Sequence, residues 1–280
     1  MARAGGRGPT ILLLHGVYAG ASSYEWRRLV PALEGRTVRS PDLLGSARSD
    51  RPDLEWRPSV LTWVVDALIR DAAADAGPPV VVASSLTGAH ALRAVATGAP
   101  AARLVLITPT GLGDAQTTTS GALGRFAYAL GRHTPLGDLV IRGLSSEPSV
   151  RWFQEHQTYA DPDNLTDEEV HETRRAARLP NAKHLQLAFV TNRLGLRVDP
   201  AEVEAVGPTV IWGSGQGFVE PLEERRWMEA GADVTVLRDG LPQVESPEVV
   251  ASLVRADGEW GSTALTPAPG AGGAASDRRG

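Results

Sequence analysis

The chain has 280 residues, 42% of them hydrophobic, and its 28 Lys plus Arg against 33 Asp plus Glu leave a formal net charge of -5. That length suffices for one domain with a sizeable core, or a domain carrying an insertion, and the mild acidity gives no global attraction for nucleic acid or anionic lipid. There is no cysteine, which excludes a disulfide framework, a thiolate metal site, an iron–sulfur cluster and a cysteine nucleophile.

In chain order, short aliphatic runs alternate with helical patterns. Thr10–His15, Arg36–Asp42, Pro79–Ser84, Arg103–Thr108, Thr209–Gly213 and Asp233–Arg238 read as strands. They are bounded by Gly and Pro and nearly continuous in apolar character, as parallel strands covered on both faces are. Ser23–Leu33, Ser59–Ala76, Leu86–Thr97, Leu222–Ala230 and Pro247–Arg255 read as the crossover helices between them. The alternation breaks between about Gly113 and Ala205, where only helices are predicted. One opens at Thr166–Glu169, a capping-box pattern running to Arg178, and another spans Asn181–Leu194. The expected organisation is a core over 1–112, a helical cap over 113–205, a second core part over 206–258 and a low-complexity, disordered tail over 259–280. No segment is long and apolar enough to span a bilayer, and the apolar run Ile11–Leu14 is too short for a signal-peptide core. The expectation is a cytoplasmic protein with no membrane partner and no nucleic-acid partner.

Motifs fall at fixed points of this alternation. His15-Gly16 follows the first strand, Pro41-Asp42-Leu43-Leu44-Gly45-Ser46 the second, Ser84-Ser85-Leu86-Thr87-Gly88 the third, and Glu245-Ser246-Pro247 the last. Together they resemble the α/β-hydrolase superfamily, over roughly residues 9 to 255. The resemblance implies an α/β class fold: a mostly parallel twisted sheet with crossover helices on both faces and a helical cap insertion. It makes Ser85 the nucleophile position, on a strand–turn–helix elbow of the type G-x-S-x-G. Here that elbow reads Ala83-Ser84-Ser85-Leu86-Thr87, so a β-branched residue stands where a glycine is usual. The oxyanion donors implied are the backbone N–H groups of Val17 and Leu86, and His15 belongs to their motif as a hydrogen-bonding residue rather than a base.

The other triad positions depart from the family pattern. The loop after the strand Thr209–Gly213 contains no Asp, and its only carboxylate is Glu220. Asp114, after the fourth strand, is a further acid candidate. The family's late histidine falls at Gly240 or Gln243, and no histidine follows His184. A replacement base would have to come from His90, His133, His156, His171 or His184. This matters because serine is a poor nucleophile without a group to take its proton.

Two other features point to little. The loop Gly213-Ser214-Gly215-Gln216-Gly217 lacks the spacing of a dinucleotide-binding turn, and the histidines lack metal-ligand spacing, so neither a metal nor another cofactor is expected. Only about nine residues precede Thr10, so the two antiparallel strands usual at the family's N-terminus are either absent or encoded upstream. The expected partner is a small, mostly apolar molecule under the cap, lined by residues such as Trp152, Phe153 and Phe126, with Tyr128, Tyr159 and Phe189 as further aromatics there. Three readings stand: a serine hydrolase of small apolar esters or related acyl compounds with an incomplete or rearranged triad; a catalytically inactive relative that binds such a ligand; and a scaffold without a ligand. The oligomeric state is not legible.

Overall fold

The computed structural model describes residues 8–113, 121–217 and 223–255. Strands β1 (Ile11–Leu14), β2 (Val38–Arg39), β3 (Val80–Ser84), β4 (Arg103–Ile107), β5 (Thr209–Gly213) and β6 (Asp233–Leu237) form one parallel sheet in the order β2-β1-β3-β4-β5-β6. Side-chain alternation feeds two cores. Leu12, Leu14, Val81, Ala83, Leu104 and Leu106 face one layer, and Ile11, Leu13, Val80, Val82, Val105 and Ile107 the other. Each of these residues is essentially inaccessible, which is why the strands read as unbroken apolar runs.

The connections supply both layers. After β1 comes α1 (Leu29–Ala32), after β2 comes α2 (Pro58–Ala76), and α3 (Ser85–Ala96) starts directly at the end of β3. Between β4 and β5 lie α4 (Ala122–His133), α5 (Pro135–Leu144), α6 (Glu147–Phe153), α7 (Asp167–Ala177), α8 (Lys183–Val190) and α9 (Pro200–Val206). Then follow α10 (Glu223–Glu229), α11 (Pro242–Glu245) and α12 (Pro247–Arg255). Residues of α2, α3, α9 and α10 pack with Trp56, Trp212 and Trp227 on the first face, and α1 and α12 pack with Trp26 on the second. This is the α/β-hydrolase fold expected from the sequence, with helices on both faces of a parallel sheet.

Some boundaries move for local reasons. The strand expected over 36–42 contracts to Val38–Arg39, because Pro41 offers no N–H to a ladder and Asp42 turns to accept the backbone N–H groups of Ser23 and Arg48. The capping box at Thr166 is half made. Thr166 Oγ1 accepts the Glu169 N–H at 3.2 Å, but the Glu169 carboxylate is engaged elsewhere. Both halves are present instead at Asp199 and Glu202 on α9. In the cap, α4 and α5 cross glycine to glycine: a Cβ on Gly137 would collide with the Gly131 carbonyl. Among the described residues no helix is long and apolar enough to cross a membrane.

Candidate functional site

Because β3 runs straight into α3, the chain must reverse its backbone sense within one residue. Ser85 takes that conformation, with φ of +53°, in the left-handed region that costs a non-glycine residue roughly 1–2 kcal/mol. A buried strand on one side and a buried helix on the other hold it there. Gly16, at β1's exit, lies against the elbow: a Cβ there would be in van der Waals contact with Ser85 Cβ at 3.5 Å and Ser84 Oγ at 3.7 Å. Thr87 fits the elbow by a hydrogen bond: fully buried, its Oγ1 donates to the His15 carbonyl at 2.8 Å. The site's first loop is thereby tied to its helix.

Ser85 and Val17 line a cavity of about 380 Å³ between the sheet and the cap. Leu86, next to Ser85, is buried in the first turn of α3, where backbone N–H groups lack intrahelical acceptors. The neighbouring Gly16 N–H is already given to Glu25 Oε2 at 3.0 Å. His15 holds this loop. Its Nδ1 lies 2.7 Å from the Gly16 carbonyl and its Nε2 accepts the Leu43 N–H at 3.0 Å, and burial lowers its pKa. It is therefore neutral and engaged at both nitrogens.

None of the six histidines lines the cavity. His90 lies on α3 but points into the core, between Thr62 Oγ1 at 2.8 Å and the Leu194 carbonyl at 3.0 Å. Burial pushes its pKa down to about 4. His184 Nδ1 lies 3.3 Å from an Asp53 carboxylate oxygen, His156 stacks on Trp152 with ring centroids 5.3 Å apart, and His133 and His171 are on the cap, outside the cavity lining. Gln243, at the position expected for the base, lines the cavity and is completely buried. Its Nε2 donates to Glu25 Oε1 at 2.8 Å. The other counted position, Gly240, donates its N–H to Glu245 Oε2 at 2.6 Å, and Leu241 donates there at 2.7 Å. The Glu of Glu245-Ser246-Pro247 thus shapes the loop. The acid candidates Asp114 and Glu220 lie outside the described residues.

Glu25 carries no motif, yet it is the carboxylate beneath the elbow. It sits in the 3₁₀ turn Ser23–Trp26 and takes hydrogen bonds from Gly16, Gln243 and the Ser84 hydroxyl. Burial raises its pKa, and those donors, with the nearby Arg27, partly oppose the rise. A second polar group closes the cavity toward the cap. Arg27 forms an ion pair with Glu169 of α7, and Tyr159 donates to the same carboxylate at 2.5 Å. Burial raises the pKa of Glu169, and burial with the adjacent carboxylate raises that of Tyr159. The Tyr18 hydroxyl lies in the field of Glu25 and Glu169, and burial first, then those charges, raises it well above the usual tyrosine range.

Of the aromatics expected at the ligand, Phe153 and Phe189 line the cavity. Trp152 and Phe126 do not, which corrects the expectation for this cavity: they are 56% and 66% exposed. Tyr128 packs elsewhere, its hydroxyl accepting the Trp56 N–H at 3.1 Å. Sequence reasoning missed Tyr18, Glu25, Arg27 and Glu169. Only the sequence neighbourhood of Tyr18 and Glu25 to His15-Gly16 pointed toward them. Among the described residues no cluster of His, Asp and Glu has the arrangement of a metal site.

The model of the alpha/beta hydrolase family matches residues 11–253, which include both halves of the sheet and the cap. The chain belongs to the alpha/beta hydrolase family. Among solved structures, an epoxide hydrolase superposes with a TM-score of 0.65 at 22% identity, over 90% of this chain and 91% of that one. A meta-cleavage product hydrolase from Pseudomonas fluorescens superposes with a TM-score of 0.67 at 21% identity, over 89% and 90%. At such identities the likeness of this family member to them is one of fold. Among curated proteins, a haloalkane dehalogenase of Mesorhizobium japonicum is 43% identical over 56 residues, 19% of this chain and 17% of the relative. The chain thus matches less than a fifth of that relative's length.

Proposed function

We propose that this alpha/beta hydrolase family member binds a small, mostly apolar ligand in the cavity under its cap, without serine–histidine turnover. The observation that carries the reading is the amide at Gln243. It occupies the expected base position and is hydrogen-bonded to Glu25, while no histidine lines the cavity. An amide cannot take the Ser85 proton. In a serine protease of another fold, loss of the base alone costs about 10⁶-fold in turnover.

A second reading is a serine hydrolase of small apolar esters or related acyl compounds with a rearranged triad. It is favoured by Ser85 itself, which keeps the strained elbow conformation and borders the cavity. Under it, Glu25 would have to serve in place of an imidazole, reaching the elbow through Ser84. Hydrolysis of p-nitrophenyl butyrate by wild type and Ser85→Ala separates the two. Equal, background-level rates are expected. Wild-type turnover roughly 100-fold above that of the mutant, which keeps the same backbone donors, would establish the second reading instead.

A further inference from the structure

We propose that this cavity selects a protonated amine on a small apolar body. The proposal rests on the reading of the cavity as a ligand site and names the chemistry it recognises. The argument begins with hydrogen-bonding groups left over by the fold. Buried polar groups are normally paired. Among the cavity-lining residues described, the buried side-chain atoms without a partner are Gln243 Oε1 and Gln154 Oε1, and both are acceptors. Unpartnered buried atoms able to donate occur elsewhere, those of Trp26, Ser40, Thr110, Arg174 and Trp227 among them, and none of those residues lines the cavity. The orientation of the Gln243 amide follows from its neighbour, since Nε2 faces the Glu25 carboxylate and Oε1 is the atom left over. A ligand that completes this site therefore brings donors.

Charge narrows the choice. The ionisable carboxylates lining the cavity are Glu25 and Glu169, and the cation is Arg27. Arg27 is committed to Glu169 and to Tyr159. Glu25 is held by neutral donors: the Gly16 N–H, the Ser84 hydroxyl and the Gln243 amide. The lining thus sets two carboxyl groups against one guanidinium, and it includes the aromatic rings of Tyr18, Phe153 and Phe189. A desolvated carboxylate favours an opposite charge, and aromatic rings accept a cation. A carboxylate ligand would lie beside Glu25 with no uncommitted cation to meet it, and an ester would bring no donor for the two glutamine oxygens. A protonated amine supplies both charge and N–H groups, while its hydrocarbon body fills the remaining apolar wall.

Isothermal titration of the full chain at neutral pH tests this with four matched probes: phenethylamine, phenylacetate, methyl phenylacetate and ethylbenzene. Phenethylamine is expected to bind at least about tenfold more tightly than phenylacetate or the methyl ester. Glu25→Gln keeps the shape and removes the charge. It should erase that preference, read as the ratio of amine to ethylbenzene affinity within the same variant. Gln243→Met removes the unpaired acceptor at nearly constant volume and should also weaken the amine. Circular dichroism confirms the fold of each variant. Binding of the ester or the acid as tight as the amine, or an amine affinity untouched by both substitutions, would overturn the headgroup assignment alone. Failure of all four probes, ethylbenzene included, would overturn the cavity as a ligand site.

Discussion

At the scale of single residues, the elbow depends on groups that compensate one another. Thr87 replaces the usual small residue, and its hydroxyl satisfies the His15 carbonyl at 2.8 Å. Thr87→Val keeps the shape and leaves that buried carbonyl unpaired, which costs about 1–3 kcal/mol. Thr87→Ser retains the donor and should lose much less. Urea unfolding of both variants checks this; a larger loss for Thr87→Ser than for Thr87→Val would mean that packing of the methyl group, and not the hydrogen bond, holds the turn. The same scale shows the limit of reading a site from sequence. Ser85 was legible because a strand–turn–helix places it by local geometry, and Gly16 and Val17 because they follow directly on the strand β1. Glu25 was not, because its side-chain partner Gln243 lies 218 residues away. A glutamate between Tyr24 and Trp26 gives no local sign that it will be covered.

At the scale of elements, the strands were legible because their apolar runs face helices on both sides, so no alternation was needed to recognise them. The crossover helices followed from the strands. The cap was legible as an interval without strands and in two of its helices, α7 from the Thr166–Glu169 pattern and α8 within Asn181–Leu194. Its helices carry apolar residues on outward faces as well as inward ones: on α4, Leu123 and Phe126 are exposed while Tyr128 is buried. Periodicity finds such a helix but does not say which stripe meets the core, and the placing of Phe126 at the ligand failed for that reason. Helix packing also sets an acid response. His90 of α3 bridges Thr62 of α2 and the carbonyl of Leu194, and burial lowers its pKa from 6.5 to about 4. Below pH 6.5 the unfolded chain takes up a proton that the folded chain refuses. Its contribution is complete above the unfolded value and falls as pH drops toward the folded value, to a loss of about 3 kcal/mol. His90→Gln keeps hydrogen-bonding capacity without titrating. Its unfolding free energy should fall less than that of wild type between pH 7 and pH 4.5; parallel curves would show that His90 is not the group responsible.

At the scale of the molecule, the cap is fastened to the core by charge as well as by apolar contact. Arg27 follows the first loop of the core, whereas Glu169 and Tyr159 belong to the cap, and the three meet beside the cavity. The two charged side chains are 16% and 6% exposed, so this is a desolvated pair rather than a surface one. Removing one partner of such a pair strands the other, at a cost of about 3–5 kcal/mol, whereas replacing both with apolar residues is often close to neutral. Glu169→Leu should therefore destabilise the protein strongly, and so should Arg27→Met, while Arg27→Met with Glu169→Leu should cost far less than their sum. The coupling is read from the denaturant midpoints of all four proteins. Near-additive losses would mean that the cap rests on the core through its apolar contacts alone. A large coupling would instead make the polar tie part of what closes the cavity. Limited proteolysis distinguishes where the loss falls: cleavage between α4 and α8 that precedes cleavage in the sheet would show the cap lifting as a unit before the core unfolds.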